Sequence, residues 1–336
     1  MPENKTLNNL LAIVFGVSVA LLLLVILELG ARLMPKKKET EYSYPRDYWW
    51  TDHYGIPSAA AGTYHTSEKD KATGRMIYDV DYTNDEYGRR VTPVENPQQR
   101  DKFFALVGCS LGYGEGVNQD QTLAAVIGQL TRQTMPYNYS FLGRGPYDFL
   151  AVIESLAPSQ MKEKNGTMVY LYVDGHLDRL VGSMSTLRWK KGGVYYRKIP
   201  DGRFVRDGTF ETGRANMTRL YKLLGKSALL KKLNVDFPPK HTAAHFELAA
   251  QVIAAMRDSF LAKYPKGKFY VLIYPQTMKA DKIKSALNHV GVAYFDYSEL
   301  FDLSNPKYHL DEQDPHPSVL AYHILAEEIV KDLRLK

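Results

Sequence analysis

Gly108-Cys109-Ser110-Leu111-Gly112-Tyr113-Gly114-Glu115-Gly116-Val117 follows directly on the apolar run Phe103-Phe104-Ala105-Leu106-Val107. Five uncharged apolar residues bounded by glycine read as a short buried strand, and the glycine-rich stretch reads as the turn that ends it. In an α/β sheet, ligands bind at the carboxyl ends of the strands, so Ser110 stands where a reacting group is presented. The glycines permit tight turns and close approach of a ligand to the backbone. A dinucleotide fingerprint needs G-x-G-x-x-G and a later acid at the end of the next strand. Gly112 and Gly114 fit, but the third glycine position is Val117 and the acid is missing. A phosphate-cradling loop needs Gly-Lys-Ser/Thr, which is absent. A glycine-rich turn whose serine caps the next helix fits as well as a nucleophile does on this stretch alone.

Downstream, the hydrophobic period changes repeatedly. Helices are expected over residues 123–133, 149–156, 243–264, 280–289 and 318–333. Strands are expected over 137–142, 168–173, 269–274 and 293–297. Strands alternating with helices imply a mainly parallel sheet covered on both faces. Residues 186–210 depart from this pattern. Gly192-Gly193, Pro200-Asp201-Gly202 and Asp207-Gly208 alternate there with Val194, Tyr195, Tyr196, Phe204 and Val205. These are turn signals between short β-runs, read as a hairpin insertion that either covers the site or shields a sheet edge.

Upstream, residues 6–27 carry no charge and residues 10–27 are almost wholly aliphatic. About 20 such residues cross a hydrocarbon core of about 30 Å. A cleaved signal peptide would have a shorter apolar run and a small-x-small cleavage site. This run is longer and ends in Glu28, Gly30, Arg32, Met34 and Pro35, so residues 1–35 are read as an uncleaved transmembrane anchor. Lys5 lies before the span, and Arg32, Lys36, Lys37 and Lys38 lie after it. By the positive-inside rule alone the bulk of the chain would be cytoplasmic. Residues 36–76 read as a juxtamembrane linker and arm, with Tyr42, Tyr44, Tyr48, Trp49 and Trp50 placed either at the lipid interface or against the domain. Residues 77–92 read as an extended arm opening the main domain, 77–336.

With 336 residues, 45% of them apolar and 24% charged, the chain has ample material for a core and is not disordered. Cys109 is its one cysteine, which excludes an intrachain disulfide and a four-thiolate zinc module. The net charge of +6 suits an anionic membrane or glycan surface, and no nucleic-acid motif is present. His241 and His245 stand at i, i+4, but the zincin glutamate and a third ligand are missing. They read as a solvated helix face, and neither metal nor cofactor is expected.

Two further stretches bear on chemistry. Asp314-Pro315-His316-Pro317-Ser318 precedes the last expected helix. An Asp two residues before a His can accept from one ring nitrogen and leave the other for a serine proton. On this stretch alone, a plain turn with proline opening the helix is the preferred reading. Asn138-Tyr139-Ser140-Phe141-Leu142-Gly143-Arg144-Gly145-Pro146 follows the second strand, and Gly143 can offer a backbone N–H or simply form the turn.

Taken together, the three stretches resemble the SGNH/GDSL hydrolase superfamily over roughly residues 80–335. Its first block, Gly-Asp-Ser-x-x-x-Gly-x-Gly-Val, is matched by Gly108, Ser110, Gly114, Gly116 and Val117, with Cys109 in place of the Asp. Gly143 matches the glycine of the second block, and Asp314 and His316 match the last. The third block, Gly-x-Asn-Asp, is replaced by Val173-Asp174-Gly175-His176-Leu177-Asp178-Arg179, with His176 where the Asn would stand. The resemblance implies a three-layer α/β/α sandwich with a mainly parallel sheet. It implies Ser110 as nucleophile, His316 as base and Asp314 as the orienting acid, with an oxyanion hole made of Ser110, Gly143 and His176. The implied activity is removal of O-acyl groups, acetyl foremost, from a cell-envelope polysaccharide or peptidoglycan. An O-acyltransferase working beside a multi-span membrane partner, and a degenerate glycan-binding or scaffold protein, are the alternatives. Single-span proteins of this kind face the periplasm from the inner membrane. That placement conflicts with the charge bias and is preferred because long domains translocate largely regardless of charge.

Overall fold

The computed structural model describes residues 3–34, 40–51, 56–190, 193–275 and 277–336. Lys36, Lys37 and Lys38 of the expected linker, Pro35, and Gly192 of the expected hairpin lie outside the described residues. Helix α1 (Glu3–Leu33) is unbroken, and its segment Leu7–Leu33 is long and apolar enough to cross a membrane. The described residues between 40 and 84, expected as linker and arm, include five strands that pair with one another. Strands β1 (Thr40–Ser43), β4 (Gly62–Asp70) and β5 (Met76–Asn84) form an antiparallel sheet in the order β1-β4-β5. Strands β2 (Trp49–Thr51) and β3 (Pro57–Ala59) form a separate antiparallel pair. One face of this sheet is buried by period-2 alternation. Tyr64, Thr66, Glu68 and Asp70 point inward from β4, and Tyr78, Val80, Tyr82 and Asn84 from β5.

The main domain then winds as β6 (Lys102–Val107), α2 (Ser110–Tyr113), α3 (Leu123–Leu130), β7 (Thr134–Asn138), α4 (Pro146–Ser155), β8 (Asn165–Tyr172), α5 (Gly175–Val181) and α6 (Met184–Trp189). A hairpin of β9 (Val194–Lys198) and β10 (Phe204–Thr209) leads to three short helices, α7 (Phe210–Gly213), α8 (Ala215–Leu224) and α9 (Ala228–Lys232). The chain closes with α10 (Ala243–Lys263), β11 (Lys268–Ile273), α11 (Ala280–His289), β12 (Tyr294–Asp296), β13 (His309–Asp311), β14 (Asp314–Pro317) and α12 (Val319–Asp332). The central sheet is parallel throughout, in the order β12-β11-β8-β6-β7.

Both faces of that sheet are covered, which is why its inner strands read as continuous apolar runs. Phe103, Ala105 and Val107 of β6, with Met168, Tyr170 and Tyr172 of β8, face α4, α10 and α11. Phe104, Leu106, Val169 and Leu171 face α3 and α12. The architecture is therefore a three-layer α/β/α sandwich. Two boundaries move against the sequence expectation. The second strand, expected at 137–142, forms at Thr134–Asn138. It accommodates Pro136 because β7 is the edge strand and needs no donor there. Residues 139–142 run on past the strand, with the N–H groups of Tyr139 and Phe141 still donating to the Leu106 and Gly108 carbonyls at 2.8 and 3.0 Å, and Phe141 joins Tyr48, Tyr82 and Tyr113 in a tyrosine-rich cluster. In the region 186–210, residues up to Trp189 are helical, and only β9 and β10 make the hairpin.

Candidate active site

Cys109 ends the β6 run in an extended conformation and Ser110 opens the single turn of α2. Gly114 terminates that turn at φ 87°, and Gly116 follows at φ 80°, a left-handed region that favours glycine. Space demands glycine there too: a Cβ on Gly114 would meet Thr122 Cγ2 at 2.6 Å, and one on Gly116 would meet Leu310 Cδ1 at 2.1 Å. Arg90, only 1% exposed, fastens the turn from below. Its guanidinium donates to the carbonyl oxygens of Tyr113 (3.3 Å), Gly114 and Val117 (2.7 Å). Asn138 at the end of β7 donates to the Gly112 carbonyl at 2.9 Å. The antiparallel sheet packs against the same turn: the Tyr113 ring lies edge-on to Tyr82 and Phe141 at 5.3 and 5.7 Å, and its hydroxyl donates to Asn84 Oδ1 at 2.9 Å.

Across from this turn, β14 carries Asp314 and His316. Asp314 Oδ1 accepts from the His316 backbone N–H at 3.0 Å and from ring Nδ1 at 2.5 Å. The carboxylate thereby fixes the proton on Nδ1 and turns Nε2 outward. Nε2 lies 2.8 Å from Ser110 Oγ. Ser110, His316 and Asp314 thus form one continuous hydrogen-bonded relay, with Asp314 1% and Ser110 8% exposed.

Three groups that sequence reasoning did not single out complete the electrostatics. Glu115 Oε2 lies 3.1 Å from His316 Nε2, and its Oε1 accepts from the Tyr44 hydroxyl at 2.6 Å. Fully buried Glu68 of β4 places its carboxyl against that of Asp314, whose Oδ2 is buried and has no other partner among the described residues. Burial, with the adjacent Asp314 adding to it, pushes the Glu68 carboxyl up to about 7. Burial works against the charge on both His316 and Asp314. The Glu115 charge and the Asp314 hydrogen bond nonetheless lift the imidazole well above its ordinary range. The His316 hydrogen bond and the Glu68 contact hold Asp314 below its own. Glu115 stood inside the quoted glycine-rich stretch, but nothing in its spacing announced a partner some 200 residues further along.

A cleft of about 690 Å³ opens beside the relay, lined among others by Glu115, Tyr44, Gly143, Trp49, Trp50 and Trp189. These are all three tryptophans of the chain, and each is about half exposed. Gly143 sits at φ 69° in the turn after β7, with the Trp189 ring over it. Its N–H has no hydrogen-bond acceptor among the described residues. As the first residue of α2, Ser110 likewise has a backbone N–H without an intrahelical partner.

His176 is not brought to this site, which corrects the expectation that it donates to an oxyanion. Its ring is 0% exposed, stacks on Tyr170 at 5.5 Å and stands edge-on to Phe149 and Tyr172. Its Nδ1 hydrogen-bonds with the Tyr170 hydroxyl at 2.7 Å, and burial pushes the imidazole well below its ordinary range. A neutral ring sealed in the core beneath α4 has no N–H that a substrate can reach. His241 also differs from expectation: it precedes α10, and rather than lying on a solvated face it is largely buried and pairs with Asp178 at 3.0 Å. Among the described residues no group of three side chains is arranged to hold a metal.

No protein-family model matches the chain, and no curated protein matches its sequence. Solved structures do match. TesA aligns at 14% identity with a TM-score of 0.40, over 69% of this chain and 98% of that one. A lipolytic protein of the G-D-S-L family from Desulfitobacterium hafniense DCB-2 aligns at 14% identity and TM-score 0.39, over 69% and 99%. A family two carbohydrate esterase from Cellvibrio japonicus aligns at 9% identity and TM-score 0.41, over 89% and 98%.

Proposed function

We propose that this chain is a membrane-anchored serine esterase of the SGNH/GDSL type that removes O-acyl groups, acetyl foremost, from a cell-envelope polysaccharide or peptidoglycan. The observation that carries the reading is the unbroken path from Ser110 Oγ through His316 to Asp314 at the edge of an aromatic cleft. Ser110 Oγ attacks the ester carbonyl while His316 Nε2 takes its proton. The tetrahedral oxyanion is held by the N–H groups of Ser110 and Gly143. Collapse returns the proton to the departing sugar oxygen and leaves Ser110 acylated. Water, deprotonated by the same imidazole, then releases the acid and the free serine. Each oxyanion donor is worth about 3 kcal/mol in the transition state.

Three half-exposed tryptophans on one cleft favour a pyranose ligand, whose C–H faces stack on flat aromatic rings. The anchor reading gains support from Glu28. Its carboxylate accepts from Ser227 Oγ at 2.7 Å and from the first backbone N–H groups of α9, Ala228 and Leu229, at 2.9 and 3.0 Å. Ala31, one turn on, is buried. A leader destined for removal has no need of bonds to the domain it leaves. We put the domain on the periplasmic side, because long domains translocate largely regardless of the charge flanking their anchor.

Deacetylation of O-acetylated peptidoglycan and acetylated xylan by the purified full chain, beside p-nitrophenyl acetate, tests the substrate class. Trp189→Ala is expected to lower kcat/KM on a polymer substrate by about tenfold, the cost of one lost stacking contact of about 1.4 kcal/mol. The small ester should be spared. Equal loss on both would remove the glycan reading. A C-terminal alkaline phosphatase fusion tests the side: activity is expected, and a silent fusion would reverse the placement.

A further inference from the structure

Among the described residues, His316 Nε2 has two polar partners. Ser110 Oγ lies at 2.8 Å and Glu115 Oε2 at 3.1 Å. The Glu115 side chain is only 10% exposed, and Tyr44, itself in contact with the Tyr78 hydroxyl at 3.3 Å, holds its other oxygen from behind. An ionised carboxylate only accepts hydrogen bonds, so Nε2 satisfies Glu115 only when it carries a proton. Nδ1 already carries one for Asp314. An imidazole clasped by a carboxylate on each nitrogen is satisfied as the imidazolium. Serine attack requires the opposite: a bare Nε2 that can accept the Ser110 hydroxyl proton.

We propose that Glu115 is a positioning residue of the relay, which keeps a proton on His316 Nε2 in the free enzyme so that the esterase becomes competent only as that proton is released. The inference rests on the esterase reading above. On release the proton passes to solvent water, and the Nε2 lone pair accepts the Ser110 O–H. When attack puts the serine proton onto Nε2, Glu115 stabilises the cation again until the proton moves to the leaving alcohol. Among the described residues, the charged and titratable groups around the ring and its two carboxylates come from several parts of the fold. Asp314 shares β14 with it, Glu115 and Ser110 come from the nucleophile turn, and Glu68 of β4 stands behind Asp314. Tyr44, Tyr78 and Tyr82 stand behind Glu115, and Tyr42 lies near Glu115, Glu68 and Asp314. Arg90, the buried cation of the same turn, is committed to backbone carbonyls. Two close carboxylates outweigh the burial that opposes the imidazolium, the direction the arrangement demands.

The test is the pH dependence of kcat/KM on p-nitrophenyl acetate for the full chain in detergent, with and without Glu115→Gln. Removing a charge this close should move the acidic limb down by about 1–2 pH units. The alkaline plateau should fall about threefold, because a less basic imidazole takes the serine proton less readily. The two profiles therefore cross, which a loss of packing alone would not produce. The same substitution on a Ser110→Ala background is read by 15N NMR of the histidine rings. His316 is expected to lose its proton at lower pH in the variant, and an unchanged limb with an unchanged ring titration overturns the proposal. The ring titration needs no turnover, so a failure of the esterase reading, seen as full activity in Ser110→Ala, is distinguishable from a failure of this one. If Glu115→Gln does not fold, Glu115→Asp draws the carboxylate back by one methylene. The ring titration should then fall by a smaller step, and no change overturns the proposal equally.

Discussion

Replacing Glu68 with glutamine should make the protein more stable at alkaline pH than at acidic pH relative to the parent. Glu68 is fully buried and its carboxyl abuts that of Asp314, which the relay needs ionised. In the folded chain its carboxyl is pushed up to about 7, whereas an unfolded glutamate titrates near 4.5. The folded state therefore binds a proton that the unfolded state has already released, and stability falls as pH rises from about 4.5 to 7, levelling above. That displacement corresponds to at most about 3 kcal/mol. Glutamine cannot ionise, yet its amide can still donate to Asp314 Oδ2. The two proteins should lie within about 1 kcal/mol of each other at pH 4, where the carboxyl is protonated in both states. At pH 8 the variant should have gained on the parent by up to about 3 kcal/mol. Urea unfolding of the full chain in detergent micelles, followed by tryptophan fluorescence at five pH values from 4 to 8, reads the difference. A gap between the two proteins that stays flat across this range would refute the argument, because it would mean that Glu68 ionises in the fold as it does in water.

Two further outcomes follow from the same contacts. Arg90→Met removes the guanidinium donor from the backbone carbonyls of residues 113, 114 and 117, of which, among the described residues, 113 keeps only Asn138 Nδ2 at 3.3 Å and 114 only the Val117 N–H at 3.4 Å. It should cost about 3 kcal/mol of stability, and kcat/KM in the folded fraction should drop by about 100-fold through displacement of Ser110; a stable variant of parental activity would show that the turn holds itself. His176→Phe keeps the packing between α4 and β8 and leaves only the Tyr170 hydroxyl unpaired, so stability should fall by about 1–2 kcal/mol with kcat/KM within about threefold of the parent; a loss near the 100-fold or more expected of an oxyanion donor would restore His176 to that role.

The central sandwich was legible because its signals are local. The runs in β6, β8 and β11 are apolar on both faces. The α11 helix shows Ile283, Ala286 and Leu287 at the spacing of one buried face. Ser110, Asp314 and His316 were visible because glycines and prolines mark the turns that carry them. The antiparallel sheet of β1, β4 and β5 was not. Its inward residues include Thr66, Glu68 and Asp70, so the alternation that defines a half-buried strand carries no hydrophobic contrast there. The second strand was displaced by reading 139–142 as its continuation, when Phe141 and Leu142 serve the tyrosine-rich cluster beside the nucleophile turn. His176 was placed by analogy of position. Its partner Tyr170, at the end of the preceding strand, draws the ring into the core, a pairing that only the fold reveals. Tyr44, Glu115 and His316 come together from three distant parts of the chain, with Glu115 between the other two, and no spacing encodes such a meeting.

Whether the hydroxyl at position 110 is the group that reacts is decided most directly by covalent labelling with a fluorophosphonate and mapping of the modified peptide. A single adduct on Ser110 is expected, and Ser110→Ala should neither label nor hydrolyse p-nitrophenyl acetate above the buffer rate. An adduct elsewhere, or parental turnover by Ser110→Ala, would remove Ser110 as the nucleophile.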